Sequence, residues 1–178
     1  SEFATAKHEL ERILASLRSQ LDRFLAGQYD QKNLKSEAAF KKWRSAHEPF
    51  HWFVEFYGIM NGGGFDVIVG NPPYLEEREV QYKLLGYISQ ETKAIHAVCM
   101  ERSSRLLLKN GLMSMIVPLS LPSTQRMQVV QELLESGRDA WFANYAWRPA
   151  KLFDTVNRAL TLFVVMPSNV GRTFSTNY

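Results

Sequence analysis

The sequence predicts an α/β fold, a doubly wound sheet with right-handed crossovers preceded by an α-helical segment. Three stretches carry that expectation. Residues 65–69, Phe-Asp-Val-Ile-Val, form a short, two-sided apolar run with glycines ahead of it and two prolines behind it, the pattern of a central parallel strand. Residues 90–109 place apolar side chains at helical spacing and lead into a second apolar run at 112–117, so strand, helix and strand follow one another as a crossover unit requires. Nearer the N-terminus, Leu10, Leu14, Leu17, Leu21 and Phe24 step by four and three among charged residues, the stripe of an amphipathic helix.

Taken in order, that first helix ends near Gly27, and two heptads of pattern fit a helix packed on its own domain better than a coiled coil. A polar stretch, 28–35, leads to a second helix over 36–46, with Ser36 placed to cap it. Aromatic side chains crowd 49–60, and the glycines at 62–64 break any helix ahead of the first strand. Pro72 and Pro73 end that strand, because proline brings no ladder donor and keeps its predecessor out of helical geometry. Asn110-Gly111 closes the crossover helix and Pro118 the second strand; a helix over 123–136 stops at Gly137, and strands follow over 141–147 and 160–166. Two domains result, a helical segment over 1–48 and the sheet over 49–178.

Composition narrows the classes. With 46% apolar and 12% aromatic residues among 178, the chain has material for one ordinary core. Its 21 basic and 18 acidic side chains leave a net charge of +3, compatible with a polyanionic partner but shared with many proteins that have none. A single cysteine, Cys99, excludes an internal disulfide and a cysteine zinc cluster and suits a reducing, cytoplasmic setting. No apolar run approaches the roughly 18 to 20 residues of a membrane span, so no membrane partner is expected. The opening Ser1-Glu2-Phe3, without methionine, reads as the start of a piece excised from a longer chain.

Chemistry concentrates at Asn71-Pro72-Pro73-Tyr74. In open α/β sheets ligands bind at the carboxyl ends of strands, where this tetrapeptide falls. Consecutive prolines remove two N–H donors, so the turn offers carbonyl acceptors, Asn71 adds an amide oxygen, and Tyr74 adds a flat ring. An exocyclic amino group fits such a loop, because its lone pair is delocalised into the ring until two acceptors draw the N–H bonds out of plane. An asparagine then stands where a hydrolase would need carboxylates. A base inside a duplex must be flipped out to reach the loop, and Tyr74 would hold it by stacking.

Residues 52–77, which hold Trp-Phe-Val-Glu-Phe and then Gly-Gly-Gly-Phe-Asp-Val-Ile-Val-Gly-Asn-Pro-Pro-Tyr-Leu-Glu-Glu, resemble the catalytic motif of the gamma-type adenine-N6 DNA methyltransferases. Among these they are most similar to the large single-chain enzymes of type IIG restriction-modification and phage defence. Residues 111–120 with Ile116-Val117-Pro118 resemble the next strand of that family and 153–164 its late strand region, so the likeness covers about 50–166. It implies a partial Rossmann-like methyltransferase sheet, the C-terminal half, and methyl transfer from S-adenosyl-L-methionine to the N6 amine of adenine in double-stranded DNA. It also implies that the Asn71 side chain and the Pro72 carbonyl accept the amine, that Tyr74 stacks on the flipped base beside Pro73, and that Phe163 is the second aromatic touching it.

Departures from the family pattern matter equally. Family members hold the donor on a glycine-rich strand-to-helix turn and a later acidic residue, and residues 1–61 contain no such turn; Gly62, Gly63 and Gly64 precede a strand. No residue here is assigned to the cofactor, and this stretch alone is expected neither to bind the donor usefully nor to methylate DNA. The N-terminal and target-recognition parts of the same protein are its expected partners, and an open sheet edge would be covered by the helical segment or by self-association.

Other residues read more plainly. Asp66 is expected to cap a helix or brace a loop, Glu76, Glu77, Arg78 and Glu79 to be surface charge near the site, and Lys41, Lys42 and Arg44 beside Trp43 to form a solvated face. His8, His47, His51 and His96 share no ligand spacing, so no metal is expected. Two rival functions remain: methylation of another amine or amide, such as cytosine N4 or protein glutamine, and a non-enzymatic interaction module built on the N-terminal helices.

Overall fold

The computed structural model describes residues 2–148, 152–154 and 156–176. The chain divides into two compact units, Ser1–Gly62 and Gly63–Tyr178.

The first unit is helical: α1 (Glu2–Tyr29), α2 (Glu37–His47), α3 (Trp52–Glu55) and α4 (Tyr57–Asn61). Helix α1 starts well before the apolar stripe because Glu2, Ala4, Ala6, Lys7 and Glu9 are good helix formers without being amphipathic. Ser36 caps α2 as expected, its Oγ accepting the Ala39 N–H at 3.1 Å. The stripe itself does not pack as expected. Leu10, Ile13, Leu17 and Phe24 are exposed, whereas Asp22 and Ala26 are buried. The reason is the length of the partner: a small core of Ala26, Phe40 and Trp43, with Leu25 and Tyr29 against it, engages only the last turns of α1. Charge also fixes which face turns inward. Buried Asp22 accepts hydrogen bonds from His51 Nε2 at 2.7 Å and Arg44 Nε at 2.8 Å, so Arg44 is tied to the fold while Lys41 and Lys42 stay exposed.

The second unit is a five-stranded sheet with helices: β1 (Phe65–Gly70), α5 (Ile95–Leu106), β2 (Leu107–Pro118), α6 (Ser120–Ser123), α7 (Gln128–Glu135), β3 (Arg138–Tyr145), β4 (Leu160–Pro167) and β5 (Thr173–Ser175). Strand order is β1-β2-β4-β3-β5. Strands β1 and β2 are parallel, joined by the expected crossover through α5; β2–β4 and β4–β3 are antiparallel, and β5 pairs parallel to β3. The sheet is therefore mixed, with the doubly wound pattern limited to its first step. Strand β1 lies at an edge of this sheet and not at its centre: Ile68 packs on the core, while Val67 and Val69 are exposed.

Two glycines set the β1–β2 junction. Gly64 has φ +126°, and a Cβ there would lie 2.4 Å from the Leu106 carbonyl oxygen. A Cβ on Gly111 would lie 2.9 Å from the Phe65 carbonyl oxygen. Asn110-Gly111 does not close the helix, which ends at Leu106; it belongs to β2, where the register against β1 shifts between Phe65 and Val67. The core gathers Met113, Met115, Val117, Phe142, Phe163 and Val165 from the sheet against Ala97 and Met100 of α5 and Val130 and Leu134 of α7. Among the described residues no helix is long and apolar enough to cross a membrane.

Candidate active site

Strand β1 ends at Gly70, and the next four residues, Asn71 to Tyr74, continue as irregular backbone from its carboxyl end. Asn71 and Pro73 are exposed, and Pro72 and Tyr74 are half-buried. The Tyr74 hydroxyl lies 2.6 Å from the Asn71 side-chain oxygen and 3.1 Å from the Ile116 carbonyl oxygen on β2, within donating distance of either. The ring is therefore anchored across the parallel strand pair. Burial pushes the Tyr74 phenol above its ordinary value, against a smaller opposing effect of the Arg158 charge, so it stays protonated at neutral pH.

Behind the tetrapeptide the chain is clasped. Ile95 N–H donates to the Leu75 carbonyl at 2.9 Å, Glu77 N–H to the Lys93 carbonyl at 2.8 Å, and Glu76 forms a bridge with Ala94. Arg126 locks the clasp from outside, giving Nη2 to both Glu76 oxygens at 2.8 Å and Nε to the Thr92 carbonyl at 2.5 Å. Glu77 takes the Lys93 ammonium at 3.0 Å, which with the Gln90 amide holds its carboxyl below the usual range. Glu76 is thus a structural anchor and more than surface charge.

A cavity of about 490 Å³ opens beside the tetrapeptide, lined by Tyr74, Glu76, His96, Pro118, Arg126 and Arg158 among others. Arg158 contacts the Tyr74 carbonyl oxygen at 3.4 Å, its guanidinium carbon lies 6.0 Å from the Tyr74 ring centre, and it makes no ion pair among the described residues. His96 meets the Tyr74 ring edge-on, with centroids 6.4 Å apart. It is buried with neither ring nitrogen hydrogen-bonded, and burial lowers its pKa to about 4, so the imidazole is neutral.

Asn71, Pro72, Pro73 and Tyr74 are thus brought to one surface. Phe163 is not brought to them: it is fully buried on β4, paired with Met115 and packed near Phe142. His96, Arg126, Arg158 and the Ile116 carbonyl are the parts that sequence reasoning missed, and each is more than 20 residues from Tyr74 in the chain. Among the described residues no three His, Cys, Asp or Glu side chains gather as metal ligands. Asp66 is exposed at the start of β1.

The model of the Eco57I restriction-modification methylase family matches residues 5–138, more than half of the chain. A protein of Methanocaldococcus jannaschii that carries the name of a type II restriction enzyme and methyltransferase, RM.MjaORFECS2P, is 33% identical over 101 residues, covering 53% of this chain and 8% of its own length. Among solved structures, a nuclease-deletion mutant of the Type ISP restriction-modification enzyme LlaGI with a DNA substrate mimic superposes with a TM-score of 0.50 at 10% identity, over 66% of this chain and 12% of that one. The DrdV–DNA complex superposes with a TM-score of 0.51 at 13% identity, over 69% of this chain and 16% of that one. At such identities the structures speak to the fold alone, a partial Rossmann-like sheet preceded by a helical segment. The chain spans only a small part of each of these proteins. It belongs to the Eco57I restriction-modification methylase family.

Proposed function

We propose that residues 71–74 activate the exocyclic N6 amine of adenine in DNA for methyl transfer from S-adenosyl-L-methionine, as one part of a longer restriction-modification or phage-defence enzyme. The observation that carries this reading is a turn without N–H donors at Pro72 and Pro73, at the carboxyl end of a parallel strand, next to an anchored ring and a cavity of about 490 Å³. Asn71 Oδ1 and the Pro72 carbonyl accept the two N–H bonds of the amine and favour its tetrahedral form as it becomes a nucleophile. The exposed part of the Tyr74 ring stacks on the flipped base, with Pro73 at its margin. The donor supplies an electrophilic methyl group, so the chain needs to place the amine in line with it more than to deprotonate it. Membership in a methylase family and the DNA in both superposed structures support DNA as the substrate.

The described residues do not fit the donor itself. Gly62, Gly63 and Gly64 lead into β1, and Gly64 is pressed against the backbone of Leu106, which leaves it no room to cradle a ligand. The ribose and amino acid ends of the donor then rest on parts of the protein outside this chain. Calorimetric titration of the 178-residue chain with the donor is expected to show no micromolar binding; one-to-one micromolar binding would place a donor site within it.

In the complete enzyme, Asn71→Ala is expected to lower the single-turnover methylation rate by about a hundredfold or more while DNA and donor binding persist, since an aimed dipole of this kind is commonly worth that much. A variant that keeps over a tenth of the rate would remove Asn71 from this role. Transfer to cytosine or to a glutamine side chain by the wild-type enzyme, with adenine untouched, would redirect the substrate and leave the loop chemistry in place.

A further inference from the structure

The Tyr74 hydroxyl carries one proton, yet two acceptors face it: the Asn71 side-chain oxygen at 2.6 Å and the Ile116 carbonyl oxygen at 3.1 Å. One proton cannot fully serve both, and the shorter contact takes one of the two lone pairs of the oxygen that the substrate amine requires. A half turn of the Asn71 amide about its Cβ–Cγ bond resolves the conflict, because the oxygen and nitrogen ends of an amide occupy nearly the same space. With the small outward shift that an N–H···O bond needs, Nδ2 then takes the place of Oδ1 beside the hydroxyl as a donor, and the phenol proton goes undivided to Ile116. The turn gives up nothing, since Nδ2 as first placed makes no hydrogen bond among the described residues.

Resting on the proposed amine-activating role of Asn71, we propose that the Tyr74 hydroxyl is a positioning group: it receives an N–H from the Asn71 amide and donates to the Ile116 carbonyl, holding Asn71 Oδ1 toward the substrate amine. Tyr74 thereby acts twice, through its ring on the base and through its hydroxyl on the acceptor. The hydroxyl is suited to a fixed relay. Ile116 belongs to β2, whose pairing with both β1 and β4 makes its carbonyl a rigid reference point. Arg158 holds the tyrosine from the other side through the Tyr74 carbonyl, and His96 abuts the edge of the ring. An asparagine without such a relay would present oxygen and nitrogen to the substrate alternately, and its nitrogen end would repel the N–H bonds that must be accepted.

The test has two arms. Nitrogen-15 NMR of this chain reads the relay directly. The Asn71 side-chain amide protons should be well separated in shift and slow to exchange with solvent, and in Tyr74→Phe they should converge and exchange freely while the resonances of β2 and β4 stay in place. Asn71 amide protons that Tyr74→Phe leaves unchanged would overturn the relay, whether or not the protein methylates DNA. The second arm uses the complete enzyme. Tyr74→Phe should keep capture of the flipped base, reported by a fluorescent base analogue, yet lose about tenfold in single-turnover rate, the scale of one positioning hydrogen bond. In an Asn71→Ala background the same change should cost nothing further. A Phe variant with the full wild-type rate, or an undiminished loss in the Asn71→Ala background, would overturn the positioning role. An enzyme that never methylates adenine would instead defeat the proposed function, and the NMR arm would still decide the relay.

Discussion

The two edges of the sheet are built differently. Strand β5 is three residues long and held from outside: buried Asp139 accepts the Arg172 N–H at 2.8 Å and its guanidinium at 3.1 Å, and Phe174 stacks on Trp141 at 5.5 Å. Strand β1 is six residues long, with Val67 and Val69 exposed and the Asn-Pro-Pro-Tyr turn at its end. A short strand tied down by charge is how a protein finishes a sheet; a longer, β-branched strand whose one charge, Asp66, sits near its start is a surface open to a neighbour. The edge next to the Asn-Pro-Pro-Tyr turn is thus the more open of the two among the described residues.

The largest expected effect lies at the β1 edge. Gly64→Val would force a β-branched residue to φ +126° with its Cβ against the Leu106 carbonyl, and should cost more than about 3 kcal/mol, enough to unfold the second unit in a thermal melt followed by circular dichroism. At the other edge, Gly171→Ala at φ +70° meets nothing nearer than 3.9 Å and should cost only about 1 kcal/mol. Comparable losses would show that the β1–β2 junction is not the tight point.

Beside the tetrapeptide, His96 contributes a pH dependence. Its pKa falls from 6.5 to about 4 on folding, so the unfolded chain binds the proton more readily. Stability from this group is complete above pH 6.5 and declines as the pH drops toward 4, by at most about 3 kcal/mol at roughly 1.4 kcal/mol per unit. In denaturant titrations between pH 4 and 7, wild type should therefore lose stability relative to His96→Phe on acidification. A constant difference between the two across that range would show that burial does not hold the imidazole neutral.

The smallest effect on stability, and a direct probe of the contrast between edges, comes from charge. Val69→Lys should change stability by under about 0.5 kcal/mol yet reduce concentration-dependent association in sedimentation velocity. Phe174→Lys at the β5 edge should leave association unaltered. An equal response to both substitutions would mean that β1 is no more adhesive than β5.

The parts of this molecule that were legible in the sequence are those defined by local signals. Strand β1 and its turn stand out because glycines and prolines bracket five apolar-rich residues, and α2 because Ser36 marks its start. Strand β5, Thr-Phe-Ser, is too short to carry periodicity. The burial of α1 was misread because an apolar stripe announces a face without saying what reaches it; α2 is only 11 residues long against 28 in α1. At the site, the tetrapeptide was legible as chemistry, but its supports were not. Arg126 closes on Glu76 across 50 residues, and Tyr74 reaches Ile116 across 42. Phe163 illustrates the remaining difficulty: in the apolar strand β4 no pattern tells whether its one aromatic side chain faces the core or the site.

The clasp behind the tetrapeptide bears on how much change in length this part of the chain can absorb. Residues 76 and 94 are bridged, Arg126 rivets the junction, and Gln81, Tyr82 and Lys83 lie exposed in the excursion between them. Ends already fastened make added length inexpensive, since doubling a flexible loop costs only about 0.6 kcal/mol more in closure. Lengthening or rewriting that excursion is expected to leave the bridged ends, and the turn before them, in place. Change at the rim and constancy at the turn are in this way separated by two main-chain hydrogen bonds and one arginine.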